Sequence, residues 1–179
     1  MIFKTILDKT FRLYITAEQI AAAVERIAEE INRDYAGREL TLVVTLKGAM
    51  VFSMDLLRRL RVPCRVETIS AKSYGNAVES SGKVEIVANF DTFRGRNVLV
   101  VEDIVDSGLT IAAILDKISQ YEPAETAVAA MFSKPAMRKT DVPVAYLGRE
   151  IEPLFIVGYG LDYAEYGREL PDVYQLADT

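Results

Sequence analysis

Short stretches dominated by apolar residues constrain this chain more than any other feature. Leu40–Leu46, Asn97–Val101 and Thr126–Phe132 have the composition of strands that are covered on both faces in a parallel sheet. Between them, apolar residues in 17–35 and 109–120 recur at helical spacing. Strands that alternate with helices predict an α/β fold, with a mostly parallel twisted sheet and helices on both faces. In such a sheet the ligand site lies at the carboxyl ends of the strands.

The rest of the chain fits one domain, 1–179, with neither an internal repeat nor a linker. Thr16 and Gln19 form a capping box, which predicts the start of the first helix. We expect Glu102–Gly108 to be a loop. The polar residues of 72–83 predict a further long loop. The remaining predicted elements are an N-terminal arm or strand over Ile2–Ile15, a helix over Met50–Leu60, and strands at Val66–Ala71, Val84–Asn89, Val142–Tyr146 and Leu154–Val157.

The lack of histidine and the single cysteine exclude several kinds of catalysis and of metal site. The chain has no histidine, which excludes Ser–His–Asp and Cys–His catalysis, histidine-ligated zinc and an imidazole base. Its single cysteine, Cys64, excludes an intrachain disulfide and favours a reducing, cytoplasmic location. A net charge of −5 disfavours non-specific binding to nucleic acid or to an anionic membrane. We therefore expect neither nucleic acid nor membrane as a partner.

Acidic residues follow the strand at Asn97–Val101. Glu102 and Asp103 are adjacent, and Asp106-Ser107-Gly108 then leads into a helix. The start of a helix offers free N–H groups to a phosphate, whereas carboxylates bind sugar hydroxyls or magnesium. One ligand that satisfies both is a ribose 5-phosphate. An ordinary N-cap at Asp106 or Ser107, with solvated acids beside it, remains the alternative.

A lysine stands where another apolar strand ends. Lys47 is followed by Gly48, whose lack of a side chain lets the backbone approach a ligand. Lys47 could therefore meet the Asp106 loop around one phosphorylated substrate, although a solvated turn lysine is the simpler interpretation. Neither GxxxxGK[ST] nor GxGxxG occurs, which argues against nucleoside triphosphatases and dinucleotide oxidoreductases.

The segment from Val100 to Thr110 resembles the phosphoribosyl-pyrophosphate binding signature of type I phosphoribosyltransferases. Four further stretches resemble the hypoxanthine–guanine branch of that family, and the resemblance extends from the Thr16 helix to Leu170. They are Leu46-Lys47-Gly48, similar to the pyrophosphate loop, Ser73-Tyr74-Gly75, similar to the start of the lid, Ser133-Lys134-Pro135, similar to the purine-reading lysine, and Phe155–Tyr163, similar to the base pocket.

For the sugar and its phosphates, the resemblance implies that Glu102 and Asp103 hold the ribose hydroxyls, directly or through Mg2+. Asp106 would be the general base at the purine N7. The Leu46–Lys47 peptide bond would be cis. The implied phosphate contacts are Ser107, Gly108 and Thr110 on the 5-phosphate and Lys47, Gly48 and Arg168 on pyrophosphate, with Ser73 and Tyr74 in a lid at 72–83.

For the base, the resemblance implies that Lys134 binds the oxygen at purine position 6 and that Phe155 stacks on the ring, with Ile104 on its other face. The backbone of Ile156 would read position 2, and Asp162 would bind a second Mg2+. Taken singly, Lys134 is a solvated loop residue, Phe155 a core residue and Asp162 a turn residue. It is the joint pattern that favours a pocket.

The resemblance thus implies purine salvage: transfer of a 5-phosphoribosyl group from phosphoribosyl pyrophosphate to hypoxanthine or guanine, giving IMP or GMP and pyrophosphate. It implies a small base-binding hood, formed by the N-terminal arm and the region around 150–179, and a homodimer or homotetramer. The segment Gly148–Leu154 departs from the usual pattern before the pocket. Another base such as xanthine, and a phosphoribosyl pyrophosphate-sensing RNA-binding regulator, remain alternatives.

Overall fold

The structure, a computed structural model, describes residues 2–73 and 84–177. The predicted lid at 72–83, with Tyr74, therefore lies outside the described residues except for its first two positions. In the described part of the chain the strands and helices are, in chain order, β1 (Phe3–Ile6), β2 (Lys9–Ile15), α1 (Ala17–Asp34), β3 (Leu40–Leu46), α2 (Met50–Leu57), β4 (Cys64–Ser73), β5 (Val84–Val87), β6 (Asn97–Val105), α3 (Leu109–Ser119), β7 (Glu125–Ser133), β8 (Tyr146–Glu150), β9 (Ile156–Val157) and β10 (Val173–Leu176).

A six-stranded sheet forms the centre of the molecule, in the order β5-β4-β3-β6-β7-β8. Every neighbouring pair is parallel except β4 and β5, which are antiparallel at the edge. The order places β3 beside β6, so the segments that follow these two strands emerge at the same edge of the sheet. The α/β prediction with a mostly parallel sheet is confirmed.

Alternate residues of the central strands are buried on opposite faces of the sheet. Leu42 and Val44 of β3 belong to one hydrophobic cluster, together with the apolar sides of α1 and α2. Val43 belongs to a second cluster, which contains Ile111 and Ile114 of α3. Helices therefore cover both faces, as predicted from the uninterrupted apolar strands.

Helix α1 begins as its sequence predicts. The Thr16 hydroxyl accepts a hydrogen bond from the Gln19 N–H, and the Gln19 side chain accepts one from the Thr16 N–H. Ile20 and Ile27 lie on its buried stripe and are at most 2% exposed. A capping box of this kind satisfies two N–H groups that the helix itself cannot pair.

Two predicted boundaries near the site are wrong. Glu102–Val105 is strand rather than loop, because β6 continues to pair with β7 as far as Val105 and Ser133. The strand predicted at Val142–Tyr146 instead runs over Tyr146–Glu150, where it pairs with β7. Pro143 lacks the N–H that a paired strand needs, which disfavours a strand that begins at Val142.

A second, smaller sheet joins the two ends of the chain, in the order β1-β2-β10-β9. The N-terminal arm is a hairpin, and its second strand pairs with β10, which the sequence did not predict. Phe11, Val157 and Tyr174 form the core of this sheet and are at most 3% exposed. The residues just after Phe155 are separated from the N-terminal hairpin by β10, and Val157 packs in one cluster with Phe11 of that hairpin.

Other boundaries differ by a few residues. Helix α2 ends three residues before the predicted Leu60, and β9 begins two residues after the predicted Leu154. Phe155 thus precedes β9 instead of lying within it. Within residues 2–73 and 84–177, no helix is both long and apolar enough to cross a membrane.

Candidate active site

A cleft opens at the carboxyl ends of β3 and β6, with a volume of about 220 Å³. Its walls come from the end of β3, the end of β6 and the first residues of α3. Eight of the predicted site residues line it: Gly48, Glu102, Asp103, Ile104, Asp106, Ser107, Gly108 and Thr110. The topological argument that placed these segments at one edge of the sheet is therefore confirmed.

The adjacent acids differ in their environment. Glu102 is 8% exposed, and its carboxylate accepts a hydrogen bond from the Asp103 N–H at 3.1 Å. Burial, followed by the neighbouring Asp103 carboxylate, raises the pKa of Glu102 well above its usual range. The Asp103 carboxylate lies directly over Gly48, where a Cβ atom would overlap it. Gly48 therefore allows the end of β3 to approach the acidic pair.

This pair fits a hard divalent cation. Magnesium prefers oxygen ligands, and a positive charge would stabilise the ionised form of Glu102, which burial and then the neighbouring Asp103 disfavour. Among the described residues, no group of three or more carboxylate, cysteine or histidine side chains converges on one point. A metal bound by one or two protein carboxylates, with phosphates and water as its other ligands, is the usual arrangement for Mg2+.

The loop between β6 and α3 has the geometry of an anion site. The N-cap of α3 is Gly108, at φ +83°, with no side-chain cap, so neither Asp106 nor Ser107 is the N-cap of the alternative interpretation. A Cβ atom on Gly108 would overlap the Thr140 carbonyl. The first N–H groups of a helix have no partner within the helix and attract an anion. Thr110, in that first turn, lines the cleft.

Asp106 and Lys134 lie together at one end of this loop. Asp106 Oδ2 is 3.5 Å from Lys134 Nζ, although the two residues lie on different segments of the chain. The Lys134 N–H donates to the Val105 carbonyl at 3.0 Å, which fixes the end of β7 to the end of β6. The other Asp106 oxygen, Oδ1, is buried and has no hydrogen-bond partner among the described residues. A buried acceptor in a cleft can receive a proton or hydrogen bond from a ligand.

The cations predicted to bind pyrophosphate form a separate cluster. Lys47 Nζ is 2.8 Å from Glu165 Oε2, and Arg168 Nη2 lies 3.6 Å from the same oxygen. Arg168 Nη2 is also 2.8 Å from Asp162 Oδ1. The Leu46–Lys47 peptide bond is cis, as the resemblance implied. Glu165, which the sequence analysis missed, thus connects the two cations.

Phe155 directly precedes β9 of the smaller sheet and is 47% exposed. Its ring centroid is 6.2 Å from that of Phe11 and 6.0 Å from that of Tyr163, so it packs against two aromatic rings, the second of them edge-on. Ile156 is buried, at 5% exposed, so its side chain is not available to a ligand. An exposed aromatic face on a rigid support is suited to stacking on a planar ligand.

Not every predicted residue lines the cleft. Six predicted residues in the described part of the chain lie outside the cleft lining: Lys47, Lys134, Phe155, Ile156, Asp162 and Arg168. Two contacts still connect their segments to the cleft: Lys134 contacts Asp106, and Gly160 packs on the Gly48 carbonyl. Ser73 ends β4, and Tyr74 lies outside the described residues. Glu165 could not have been found from its sequence pattern, because it lies among many other acids and tyrosines in the tail.

Comparison with known proteins agrees with this geometry. Residues 14–164 match the family model described as the phosphoribosyl transferase domain. The chain belongs to the phosphoribosyltransferase family. It is 41% identical over 175 residues to a hypoxanthine-guanine phosphoribosyltransferase of Mycobacterium avium, covering 90% of this chain and 86% of that protein. The corresponding protein of Aquifex aeolicus is 38% identical over 177 residues, covering 98% and 99%.

The fold agrees equally well with a solved relative. A crystal structure of a hypoxanthine-guanine phosphoribosyltransferase from Bacillus anthracis superimposes with a TM-score of 0.87 at 38% sequence identity. The match covers 92% of this chain and 98% of that one. A crystal structure of a hypoxanthine phosphoribosyltransferase from Staphylococcus aureus gives a TM-score of 0.88 at 30% identity, covering 93% of this chain and 91% of that one.

Proposed function

We propose that this protein is a purine-salvage enzyme that transfers the 5-phosphoribosyl group of phosphoribosyl pyrophosphate to hypoxanthine and guanine. The products are IMP or GMP and pyrophosphate. The single observation that carries this proposal is the contact of Asp106 with Lys134 at the mouth of the Gly108 loop. A carboxylate, an ammonium group and an anion-binding helix start meet there, as a purine and a ribose 5-phosphate require.

Lys134 and Phe155 would select the base. An ammonium group donates hydrogen bonds and accepts none, so Lys134 suits the carbonyl at purine position 6 and is mismatched with the amino group of adenine. The Lys134 side chain is 12% exposed, which makes a mismatch between its N–H donors and the amino group of a wrong base costly. Phe155 would supply the stacking surface, and the backbone of Ile156 would contact position 2.

Several residues of the site would stabilise the charges that develop on the sugar and on the leaving group. As the bond to pyrophosphate breaks, the sugar carbon becomes positively charged and the leaving group more negative, so Lys47 and Arg168 would stabilise the leaving group. Asp106 would take up the proton that the purine loses at N7. Glu102 and Asp103 would hold the ribose hydroxyls. Mg2+, held at Glu102 and Asp103 and in a second site at Asp162, would supply further positive charge to pyrophosphate.

Two structural roles, a cellular location and an assembly state complete the proposal. The smaller sheet, with Phe155 at its edge, would be the base-binding hood, and 72–83 would be a lid that excludes water from the reacting carbon. We place the activity in the cytoplasm. We propose a homodimer or homotetramer, as the resemblance implies. Met50 and Met54 lie one turn apart on α2 and are 48% and 42% exposed, so they are apolar side chains that such an assembly would cover. Sedimentation equilibrium of the pure protein would distinguish either assembly from a monomer.

A panel of bases tests the reaction. The protein is incubated with phosphoribosyl pyrophosphate and Mg2+ plus hypoxanthine, guanine, xanthine, adenine or uracil, and nucleotide and pyrophosphate are measured separately. We expect IMP and GMP in equal amount to pyrophosphate, with little product from adenine or uracil. Product from xanthine alone would reassign the base. Absence of nucleotide with every base would refute the proposal, and salt-dependent retention of RNA on filters would then favour a regulator.

A further inference from the structure

Arg138 lies beside the phosphate loop, defined here as Asp106–Thr110, but no motif in the sequence singles it out. It follows the short 3-10 turn Pro135–Met137 that begins directly after Lys134. Arg138 Nη2 donates a hydrogen bond to the Ser133 hydroxyl at 2.8 Å, and Ser133 is only 3% exposed. The guanidinium group is therefore anchored to the end of β7, next to the residue proposed to read the base.

The other side of the guanidinium group faces the phosphate loop. Arg138 Nη1 lies 3.4 Å from the position that a Cβ atom would occupy on Gly108. This nitrogen is buried and has no hydrogen-bond partner within residues 2–73 and 84–177. A buried, charged donor without a partner is costly, so its retention at this position calls for a function.

The backbone beside Arg138 holds the same loop. The N–H groups of Lys139 and Thr140 donate to the Ser107 carbonyl at 2.9 and 3.1 Å. The Thr140 carbonyl is packed against Gly108 so closely that a side chain would not fit between them. The loop is thus supported from outside by three consecutive residues, 138–140. Lys139 and Thr140 hold it through their backbone, whereas the Arg138 side chain is anchored on Ser133.

We propose that Arg138 is a positioning residue for the phosphate loop, a role that rests on the proposed function. It fixes Gly108 relative to the end of β7, which sets the separation between the 5-phosphate cradle and Lys134. It also places a buried positive charge behind the loop. That charge offsets the carboxylates of Glu102, Asp103 and Asp106, which would otherwise repel a bound phosphate. Arg138 does not itself contact the reacting atoms.

Binding of two partial ligands tests this role without any turnover. Ribose 5-phosphate occupies the phosphate loop, whereas pyrophosphate is bound by Lys47 and Arg168 in the proposed site. Each ligand is titrated separately, in the presence of Mg2+, into wild type, Arg138→Met and Arg138→Lys, and its Kd is measured by calorimetry. Arg33→Met is the control, because that side chain is 72% exposed on α1 and far from the loop in sequence.

The expected result is selective. Arg138→Met should weaken ribose 5-phosphate binding by about tenfold or more, while pyrophosphate binding changes by less than about twofold. Arg138→Lys keeps the charge and should recover part of the loss. In steady state, KM for phosphoribosyl pyrophosphate should rise more than KM for the base. Arg33→Met should match wild type in every measurement.

Two outcomes of the Arg138→Met titrations would overturn the inference. Unchanged binding of both ligands in Arg138→Met, even with a lower melting temperature, would make the residue merely structural. An equal loss of both would indicate a general loosening of the site. If Arg138→Met does not fold, Ser133→Ala decides, because it removes the anchor and keeps the charge: unchanged ribose 5-phosphate affinity then refutes the role. Wild type that binds ribose 5-phosphate but forms no nucleotide would refute the proposed function alone.

Discussion

Replacing Phe155 with alanine should weaken binding of the purine base and leave binding of phosphoribosyl pyrophosphate nearly unchanged. The side chain is 47% exposed. A phenylalanine buries on the order of 200 Å² when fully covered, so roughly 90 Å² remains available to a ligand. At about 25 cal/mol/Å² this area corresponds to about 2 kcal/mol, within the range of about 1–3 kcal/mol for a base stacked on an aromatic ring. The KM for hypoxanthine should therefore rise about 30-fold.

Two further variants separate stacking from loss of support. Phe155→Leu keeps apolar contact with Phe11 and Tyr163 but removes the flat ring, so its KM for hypoxanthine should lie between wild type and alanine. Phe3→Ala is a matched control, because Phe3 is 51% exposed on β1 of the same small sheet. It should leave KM unchanged.

The measurement is initial-rate kinetics with each substrate varied in turn at a saturating level of the other. An equal rise in KM for the base and for phosphoribosyl pyrophosphate would show that Phe155 supports the whole site instead of stacking on the base. A KM for hypoxanthine within about twofold of wild type would refute the stacking role, since at least about 1 kcal/mol is expected from a base on an aromatic face. A comparable effect of Phe3→Ala would attribute the loss to the small sheet as a whole.

The remaining predictions concern the cleft itself. Asp106→Asn should lower kcat by about 10²–10⁴-fold with little change in Kd for phosphoribosyl pyrophosphate, and wild-type single-turnover rates would exclude its role as base. Lys134→Ala should reduce the ratio of kcat/KM for hypoxanthine over adenine, whereas an unchanged ratio would mean that Lys134 acts only on the sugar phosphate. Burial and Asp103 raise the folded-state pKa of Glu102, so wild-type stability falls as pH rises above the unfolded pKa and through the folded one. In metal-free urea unfolding, the free energy of unfolding of Glu102→Gln relative to wild type should therefore grow as pH rises above about 4.3, the usual pKa of a glutamate, and a pH-independent difference would contradict the prediction.

The central sheet could be predicted because its strands carry their signal locally. Leu40–Leu46 is bounded in the structure as the apolar run indicates, since both faces of a parallel strand must be covered by apolar residues. The same logic failed for Val173–Leu176, a four-residue strand that pairs with β2, far away in the sequence. So short a segment has no periodicity of its own, and its pairing is decided by the packing of Phe11 and Tyr174.

The candidate site divides in the same way. Asp106 could be selected from its place between an acidic pair and a helix start, and Lys134 from the resemblance to the hypoxanthine–guanine branch. The structure brings them together because β6 and β7 are parallel neighbours that end directly before these two residues. Glu165 and Arg138 could not be selected from the sequence, because their positions depend on contacts made by a turn. Glu165 is held in the left-handed region, at φ +72°, by the turn in which Tyr163 and Tyr166 pair. No local sequence pattern predicts the left-handed conformation for a residue other than glycine.

The wrong boundary of β6 carries information about function. Carboxylates are poor strand residues, and burying one raises the cost further, so a composition argument ends the strand at Val101. The structure continues it through Glu102 and Asp103, with Glu102 buried and its pKa raised. Because the pairing with β7 supplies the backbone hydrogen bonds, the strand holds two unfavourable side chains rigidly at its end. Predictions from local composition fail where functional residues override strand propensity. Here the result is a rigid acidic pair beside an anion-binding loop, which is what a sugar phosphate with magnesium requires.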